Sequence, residues 1–290
     1  MSAVTQLDAW ATGPLTIQPL QPTIGAEVHG IDLRQPLSDA LRDQIKAAIL
    51  KFKVVFFRDQ KLDREQHAAF ARRFGPIYTP PYAAAKPIDG APALHRIAAA
   101  EFQKREKEYL DEQKGEIQEF YHTDTSWRLV PSWGAVLVAV DLPPVGGDTI
   151  WVDAGLAYRE LPEELKERLE GLYVTHDFRS ALLKNGHDYP IVSHPIVRTH
   201  RETGEKILWV NFSQHPKILG LDRAESREIL KLIVDQYGIP EYQVRFSWRP
   251  GSVAFWDNRA AVHYAVRNYG DYPRVLERLL IADEPQWQDL

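Results

Sequence analysis

Two short stretches of the chain concentrate side chains that ligate metals. In Phe120-Tyr-His-Thr-Asp-Thr-Ser-Trp127, His122 and Asp124 stand two residues apart. On a β-strand, where alternate side chains share a face, both would aim at one point. A His-x-Asp alone is a common polar strand end and needs a third ligand. The C-terminal third supplies a candidate: Gly251-Ser-Val-Ala-Phe-Trp-Asp-Asn-Arg259 reads as an apolar strand and a turn, with His263 after it. Two imidazoles and one carboxylate on one face of an octahedral ion leave three positions open. That is the donor set of non-haem iron(II) centres, whose open positions admit a chelating cosubstrate and dioxygen. Imidazole ligates in its neutral form, which an unperturbed pKa of about 6.5 allows near pH 7.

A basic element follows. Arg274 and Arg278 are four residues apart, so both can face one side of either a strand or a helix. A guanidinium grips a carboxylate bidentately, and buried near a metal it would anchor a dicarboxylate at a set distance from it. Glu277 offers the plainer alternative, a surface ion pair with either arginine. The other histidines outside the motif (His29, His67, His176, His187, His194, His200, His215) are expected to be structural or surface groups. The eight Trp read as core, with Trp256 lining the metal site.

Composition narrows the chemistry further. The 290 residues include no Cys, which removes disulfides, thiolate metal sites and a Cys nucleophile together. Any metal must therefore be held by imidazole and carboxylate. With 35 Lys plus Arg against 40 Asp plus Glu, the net charge of −5 supplies no overall attraction for nucleic acid or an anionic membrane. The N-terminus MSAVTQLDAW has no basic and apolar leader pattern, and no apolar run reaches the ~18 residues of a membrane span, so a cytoplasmic protein is expected. No Gly-x-Ser-x-Gly elbow supports a hydrolase of that type.

The elements that must position these residues read as mixed α/β, mainly β. Leu15 to Leu20 and Gly25 to Leu33 suggest early strands. Ser38 caps an amphipathic helix with apolar positions Leu41, Ile45, Ile49 and Phe52, and Val54 to Phe57 follows as a buried strand. Asp63 opens a second helix with Ala69, Phe70 and Phe74 on one side, stopped by Gly75-Pro76. From Tyr78 to Phe120 the chain turns Pro/Ala-rich and then charged, with no core strand expected. Its Glu101–Arg105 and Lys104–Glu108 pairs suit a solvated helix, and the segment 83–120 is read as a lid or insertion. Short strands recur at Trp133 to Val140, Thr149 to Val152, Leu172 to His176, Ile207 to Phe212, Val244 to Trp248, Val253 to Trp256 and Arg278 to Ala282, with a helix at Arg223 to Tyr237. This pattern predicts a sandwich or closed barrel in one domain over 1–290.

The ordered set of Ile24-Gly-Ala-Glu-Val-His-Gly-Ile-Asp-Leu33, Val54-Val-Phe-Phe-Arg58, Phe70-Ala-Arg-Arg-Phe-Gly75, His122-Thr-Asp124, Pro143-Pro-Val-Gly-Gly-Asp-Thr149, His194-Pro-Ile-Val-Arg198 and Trp256-Asp-Asn-Arg259 with His263 resembles the Fe(II)/2-oxoglutarate-dependent dioxygenases of the taurine and 2,4-dichlorophenoxyacetate dioxygenase family. The resemblance spans nearly the whole chain. It implies a double-stranded β-helix, or jelly roll, with flanking helices, and hydroxylation of a small substrate with release of succinate and CO2.

It also implies His122, Asp124 and His263 as Fe(II) ligands, with 2-oxoglutarate and O2 as cosubstrates. Thr149 and Arg274 stand at the positions that hold the distal carboxylate of 2-oxoglutarate. Arg278 matches an anion-binding Arg, for either the 2-oxoglutarate C1 carboxylate or the substrate's own anionic group. Gly171-Leu-Tyr-Val-Thr-His-Asp-Phe-Arg179 is similar to taurine dioxygenases, but Pro76-Ile-Tyr-Thr-Pro-Pro-Tyr82 lacks their sulfonate-binding His. The substrate is therefore expected to be a sulfonate, alkyl sulfate, aryloxyalkanoate or similar anion. The alternatives are an amino acid or natural-product intermediate, a metal hydrolase using the same ligands, or a cupin-like binding protein without turnover. Tyr82, His95, Gln118, Leu182 and Gln214 are the candidate pocket residues. The expected assembly is a homo-oligomer, dimer or tetramer, with no nucleic-acid or membrane partner.

Overall fold

The computed structural model describes residues 14–84, 94–98 and 121–283. The chain begins with an antiparallel pair, β1 (Thr16–Pro19) and β2 (Ala26–His29). Helix α1 (Asp39–Phe52) starts where expected, with the Leu41 N–H donating to the Ser38 hydroxyl at 3.4 Å, and it buries Ile45, Ile49 and Phe52. Strand β3 (Val54–Phe57) follows, then α2 (Arg64–Arg72), whose capping box joins Asp63 and Gln66 reciprocally at 2.8 and 3.0 Å. Its buried face is His67, Phe70 and Ala71, while Ala69, expected inside, is exposed.

The next elements are β4 (Ile77–Tyr78), α3 (Pro81–Ala84), β5 (His95–Ala98), β6 (Gly134–Asp141), β7 (Thr149–Asp153), α4 (Ala154–Arg159), α5 (Glu163–Leu169), β8 (Tyr173–His176), α6 (Arg179–Leu183), β9 (Val192–Pro195), β10 (Val197–Thr199) and β11 (Lys206–Leu208). Helix α7 (Arg223–Tyr237), β12 (Gln243–Phe246), β13 (Val253–Asp257), β14 (Ala261–Ala265) and β15 (Val275–Ile281) complete the chain. The stretch expected to hold no core strand contains β5, which pairs with β15 and stays half-exposed at the sheet edge. The rest of the lid segment, including Gln118 and the charged 101–119 stretch, lies outside the described residues.

Two sheets face each other. The larger, eight-stranded sheet has the order β1-β2-β3-β13-β6-β15-β4, with β5 also on β15, and the smaller is β12-β7-β14. They stack as a jelly-roll sandwich, so of the two architectures expected, the described residues form the sandwich and not a closed barrel. Period-two alternation sorts the side chains into layers. On β3, β6 and β13, Val55, Phe57, Val136, Val138, Val253 and Phe255 pack beneath α1 and α2. Their neighbours Val54, Phe56, Ala135, Leu137, Ala254 and Trp256 turn inward to meet Trp151, Val244 and Phe246 from the smaller sheet, and Phe56 stacks on Phe246 with ring centroids 4.0 Å apart. Val152 and Val262 face the other way, into a third cluster with α4, α5 and α7. No helix among the described residues is long and apolar enough to cross a membrane.

Candidate active site

The site lies where β14 meets the chain that enters from residue 121. His122 and His263 form an isolated antiparallel bridge, exchanging N–H to O bonds of 2.9 and 2.7 Å. The extended run ends there. Asp124 starts a turn and Thr125 adopts φ +54°, so His122 and Asp124 are not carried on one continuous strand as expected. They converge through a clamp that the sequence reading did not single out.

Asn258, in the turn between β13 and β14, accepts the Asp124 N–H on Oδ1 at 2.8 Å and donates from Nδ2 to the Asp124 and Ser132 carbonyls at 2.7 and 3.0 Å. The Thr123 hydroxyl donates to the Asn258 carbonyl at 2.6 Å, and Asn211 donates to Thr123 O and Ser126 Oγ. The clamp is held in turn by a buried charge cluster. Asp257 receives Arg259 at 2.8 Å and lies 3.0 Å from His200 Nε2. Burial alone would raise its pKa, but the bonds from Arg259 and His200 outweigh burial and hold the carboxyl well below the usual carboxylate range.

One ligand atom from each of His122, Asp124 and His263 lies within 4.8 Å of the others. The two rings are 4.1 Å apart at their centroids, and His263 Nε2 is 4.0 Å from Asp124 Oδ1. Burial, with the neighbouring His122 and Arg278 charges, pushes the His263 pKa well below its ordinary value and keeps the ring in its ligating form. Asp124 Oδ2 is buried with no hydrogen-bond partner among the described residues, a costly arrangement for a carboxylate oxygen that a cation would relieve. The donor set and this orphaned oxygen fit a ferrous ion. Trp256 and Trp151, both fully buried, wall His263 at 5.0 and 6.3 Å, so Trp256 lines the site as expected.

Arg274 and Arg278 both turn to the inner face of the large sheet, each with separate partners. Arg274 Nε donates to Gly147 O at 2.8 Å and Nη2 to Thr149 Oγ1 at 3.2 Å. Gly147 has φ +72°, and a Cβ there would sit 3.0 Å from Arg274 Cδ and Nε, so glycine both makes the turn and admits the guanidinium. Arg278 donates to Asp124 Oδ1 at 2.5 Å and shares a 3.1 Å bond with His95 Nδ1, its register partner on β5. Glu277 is not their partner. It points to the opposite face and pairs with Arg64 and Arg96, both at 3.0 Å.

Of the pocket candidates, the structure joins Tyr82 and His95 to Arg278. The Tyr82 ring meets His95 edge-on at 5.0 Å and Phe178 at 5.9 Å, and Phe178 stacks on Trp127. Phe178 and Trp127 escaped the sequence reading, since nothing in their local spacing links them. Leu182 is buried in α6, and Gln214 is buried in a 3-10 turn with no partner for its Oε1 among the described residues; neither makes a described contact with the triad.

The family model "Taurine catabolism dioxygenase TauD, TfdA family" matches residues 16–280. The chain is 32% identical over 298 residues to an alpha-ketoglutarate-dependent sulfate ester dioxygenase of Pseudomonas putida, covering 95% of this chain and 93% of that protein. It is 31% identical to an alpha-ketoglutarate-dependent 2,4-dichlorophenoxyacetate dioxygenase of Cupriavidus pinatubonensis, covering 92% of this chain and 97% of the other. Among solved structures, a taurine dioxygenase from Burkholderia xenovorans superimposes with a TM-score of 0.79 at 35% identity, covering 94% of this chain and 92% of that one. The clustered His-Asp-His donors, the paired arginines and the jelly roll thus coincide with a match along almost the whole length, and the chain belongs to the TauD/TfdA family of Fe(II)- and 2-oxoglutarate-dependent dioxygenases.

Proposed function

We propose that this single-domain enzyme hydroxylates a small organic anion with an apolar body, of the sulfate ester, sulfonate or aryloxyalkanoate class. In this reading His122, Asp124 and His263 hold iron(II), Thr149 and Arg274 bind the distal carboxylate of 2-oxoglutarate, and Arg278 receives the anionic group of the substrate. Bound iron(II) supplies, with O2, the oxidising chemistry that couples conversion of 2-oxoglutarate to succinate and CO2 to insertion of oxygen into a C–H bond.

The chain's own groups do the positioning. Asn258 orients Asp124, the Trp151 and Trp256 walls keep water from the His263 imidazole, and the Arg274 and Arg278 cations receive one anion each. The observation that carries the reading is this division of labour. Arg274 is tied to Thr149 and Gly147, while Arg278 stands between the ligand carboxylate Asp124 and the Tyr82, His95 and Phe178 wall. That wall suits an apolar body better than a zwitterion's ammonium. Hydroxylation at a carbon bearing a sulfate ester or ether oxygen yields a hemiacetal-type product that collapses to a carbonyl compound and the released anion or alcohol. A cytoplasmic homo-oligomer completes the reading, with light scattering to test the assembly.

The deciding experiment measures O2 uptake and succinate formation with Fe(II), 2-oxoglutarate and a panel of sulfonates, alkyl sulfates, aryloxyalkanoates and amino acids. Substrate-dependent succinate is expected with the anions and not with their neutral isosteres. Equal turnover of neutral isosteres, turnover of amino acids alone, or anaerobic hydrolysis without 2-oxoglutarate would replace the reading.

A further inference from the structure

Thr149 Oγ1 sits between two donors. Arg274 Nη2 reaches it at 3.2 Å, and from the other side the indole Nε1–H of Trp248 donates to it at 3.0 Å. A hydroxyl has one proton to give and two lone pairs with which to accept. Both lone pairs are engaged here, so with the Cβ bond three of the four tetrahedral directions at Oγ1 are taken. The proton is left with the fourth, and only an acceptor can pair with Thr149 there. Of the five Arg274 N–H groups, Nε is committed to Gly147 O and one on Nη2 to Thr149, which leaves three, two on Nη1 and the second on Nη2, to serve the same acceptor.

Trp248 is itself held in place. It lies just beyond β12, whose Phe246 is the register partner of Thr149, and its ring is buried edge-on against Phe246 at 5.1 Å and tilted against Trp151 at 6.4 Å.

We propose that Trp248 is a positioning residue for the distal carboxylate of 2-oxoglutarate, acting by saturating the acceptor side of the Thr149 hydroxyl so that its O–H faces the carboxylate. The proposal rests on the reading of Thr149 and Arg274 as the distal-carboxylate site. Without the indole N–H the hydroxyl regains a free lone pair and a rotor, and its proton is shared with water. With it, the subsite presents donors only, which selects a carboxylate over a neutral or methyl terminus.

The test replaces Trp248 with 3-benzothienylalanine, which keeps the ring shape and puts sulfur where the N–H was, with Trp248→Phe as a second variant should the first fold poorly. Mn(II)-loaded protein, which binds without turning over, is titrated calorimetrically with 2-oxoglutarate and with 2-oxopentanoate, whose methyl end replaces the distal carboxylate. The loss of one hydrogen bond to a charged acceptor predicts a Kd for 2-oxoglutarate raised about tenfold. The Kd for 2-oxopentanoate, the Mn(II) affinity and the Tm should stay close to wild type. In a Thr149→Val background the Trp248 replacement should have no further effect, because its target is gone.

Equal weakening of both ligands would reduce Trp248 to a packing role and overturn the proposal, as would an unchanged 2-oxoglutarate Kd or an undiminished effect in Thr149→Val. If Thr149→Val and Arg274→Ala themselves leave 2-oxoglutarate binding intact, the underlying assignment of the subsite fails, and the proposal with it.

Discussion

Asn258 and Asp124 exchange two hydrogen bonds across the seam between the β13–β14 turn and the ligand loop, the Asp124 N–H donating to Oδ1 at 2.8 Å and Nδ2 donating to the Asp124 carbonyl at 2.7 Å. One carboxamide thus sets the backbone of Asp124, the proposed ligand, from a segment more than a hundred positions away. Asn258→Ala would leave that N–H and two carbonyls buried and unpaired. A stability loss of about 2–4 kcal/mol is expected, with metal affinity lowered about 10–100-fold. Chemical denaturation and Mn(II) titration check both, and an unchanged metal affinity would reduce Asn258 to a fold residue.

Gly147→Ala tests the proposed 2-oxoglutarate side of the site. The added methyl would press on Arg274 Cδ and Nε at 3.0 Å and on Pro143 Cγ at 3.1 Å, in a backbone region that favours glycine. The expected result is a KM for 2-oxoglutarate raised at least ~10-fold with metal binding kept. Steady-state kinetics at saturating substrate read this directly, and Arg274→Ala should show the same pattern more strongly.

Arg278→Gln separates the two possible anions. If Arg278 serves the substrate, the KM for the anionic substrate should rise on the order of 100-fold while that for 2-oxoglutarate stays near wild type. The opposite pattern would assign Arg278 to the C1 carboxylate. His95→Leu, which removes the acceptor beside the guanidinium, should shift the same constant in the same direction by a smaller factor.

Acid stability should carry the signature of a buried histidine. His67 lies on the buried face of α2 with Nε2 3.2 Å from the Val136 carbonyl, and burial pushes its pKa down to about 4. Its folded pKa is below the unfolded value, so its contribution is fully present above pH ~6.5 and is lost as the pH falls towards 4, at about 1.4 kcal/mol per unit. Denaturant unfolding at pH 7 and pH 5 should therefore show a larger drop for wild type than for His67→Gln, which cannot titrate. Equal drops would mean that His67 is accessible to protonation in the folded state.

Much of the layering was legible because it depends on neighbours in the chain. Helix caps at Ser38 and Asp63 act over three residues, and the alternation Val253, Ala254, Phe255, Trp256 is a local statement about two faces of one strand. Ala69 was misplaced because the apolar stripe of a nine-residue helix is short, and Ala69 and Ala71 flank the buried Phe70 on either side, so apolarity alone does not say which of them faces the core. Strands β4, β5, β9, β10 and β14 were not anticipated, nor were helices α3 to α6, because most are short and take their stability from pairing and packing with distant segments.

By itself the amino-acid order determined the chemistry available to this protein: no thiolate, two imidazoles and a carboxylate as candidate ligands, two arginines on one face, and a glycine turn before Thr149. Only the tertiary structure decided how these act. It ended the strand at His122 and aimed Asp124 through Asn258, and it turned Glu277 away to Arg64 and Arg96. It also gave Arg274 and Arg278 different partners and brought the Trp248 indole to Thr149. The physical reason is the range of the forces involved. Propensity and periodicity act within a few residues, whereas a hydrogen-bond partner for a buried polar group is chosen by whichever chain segment the fold brings within about 3 Å.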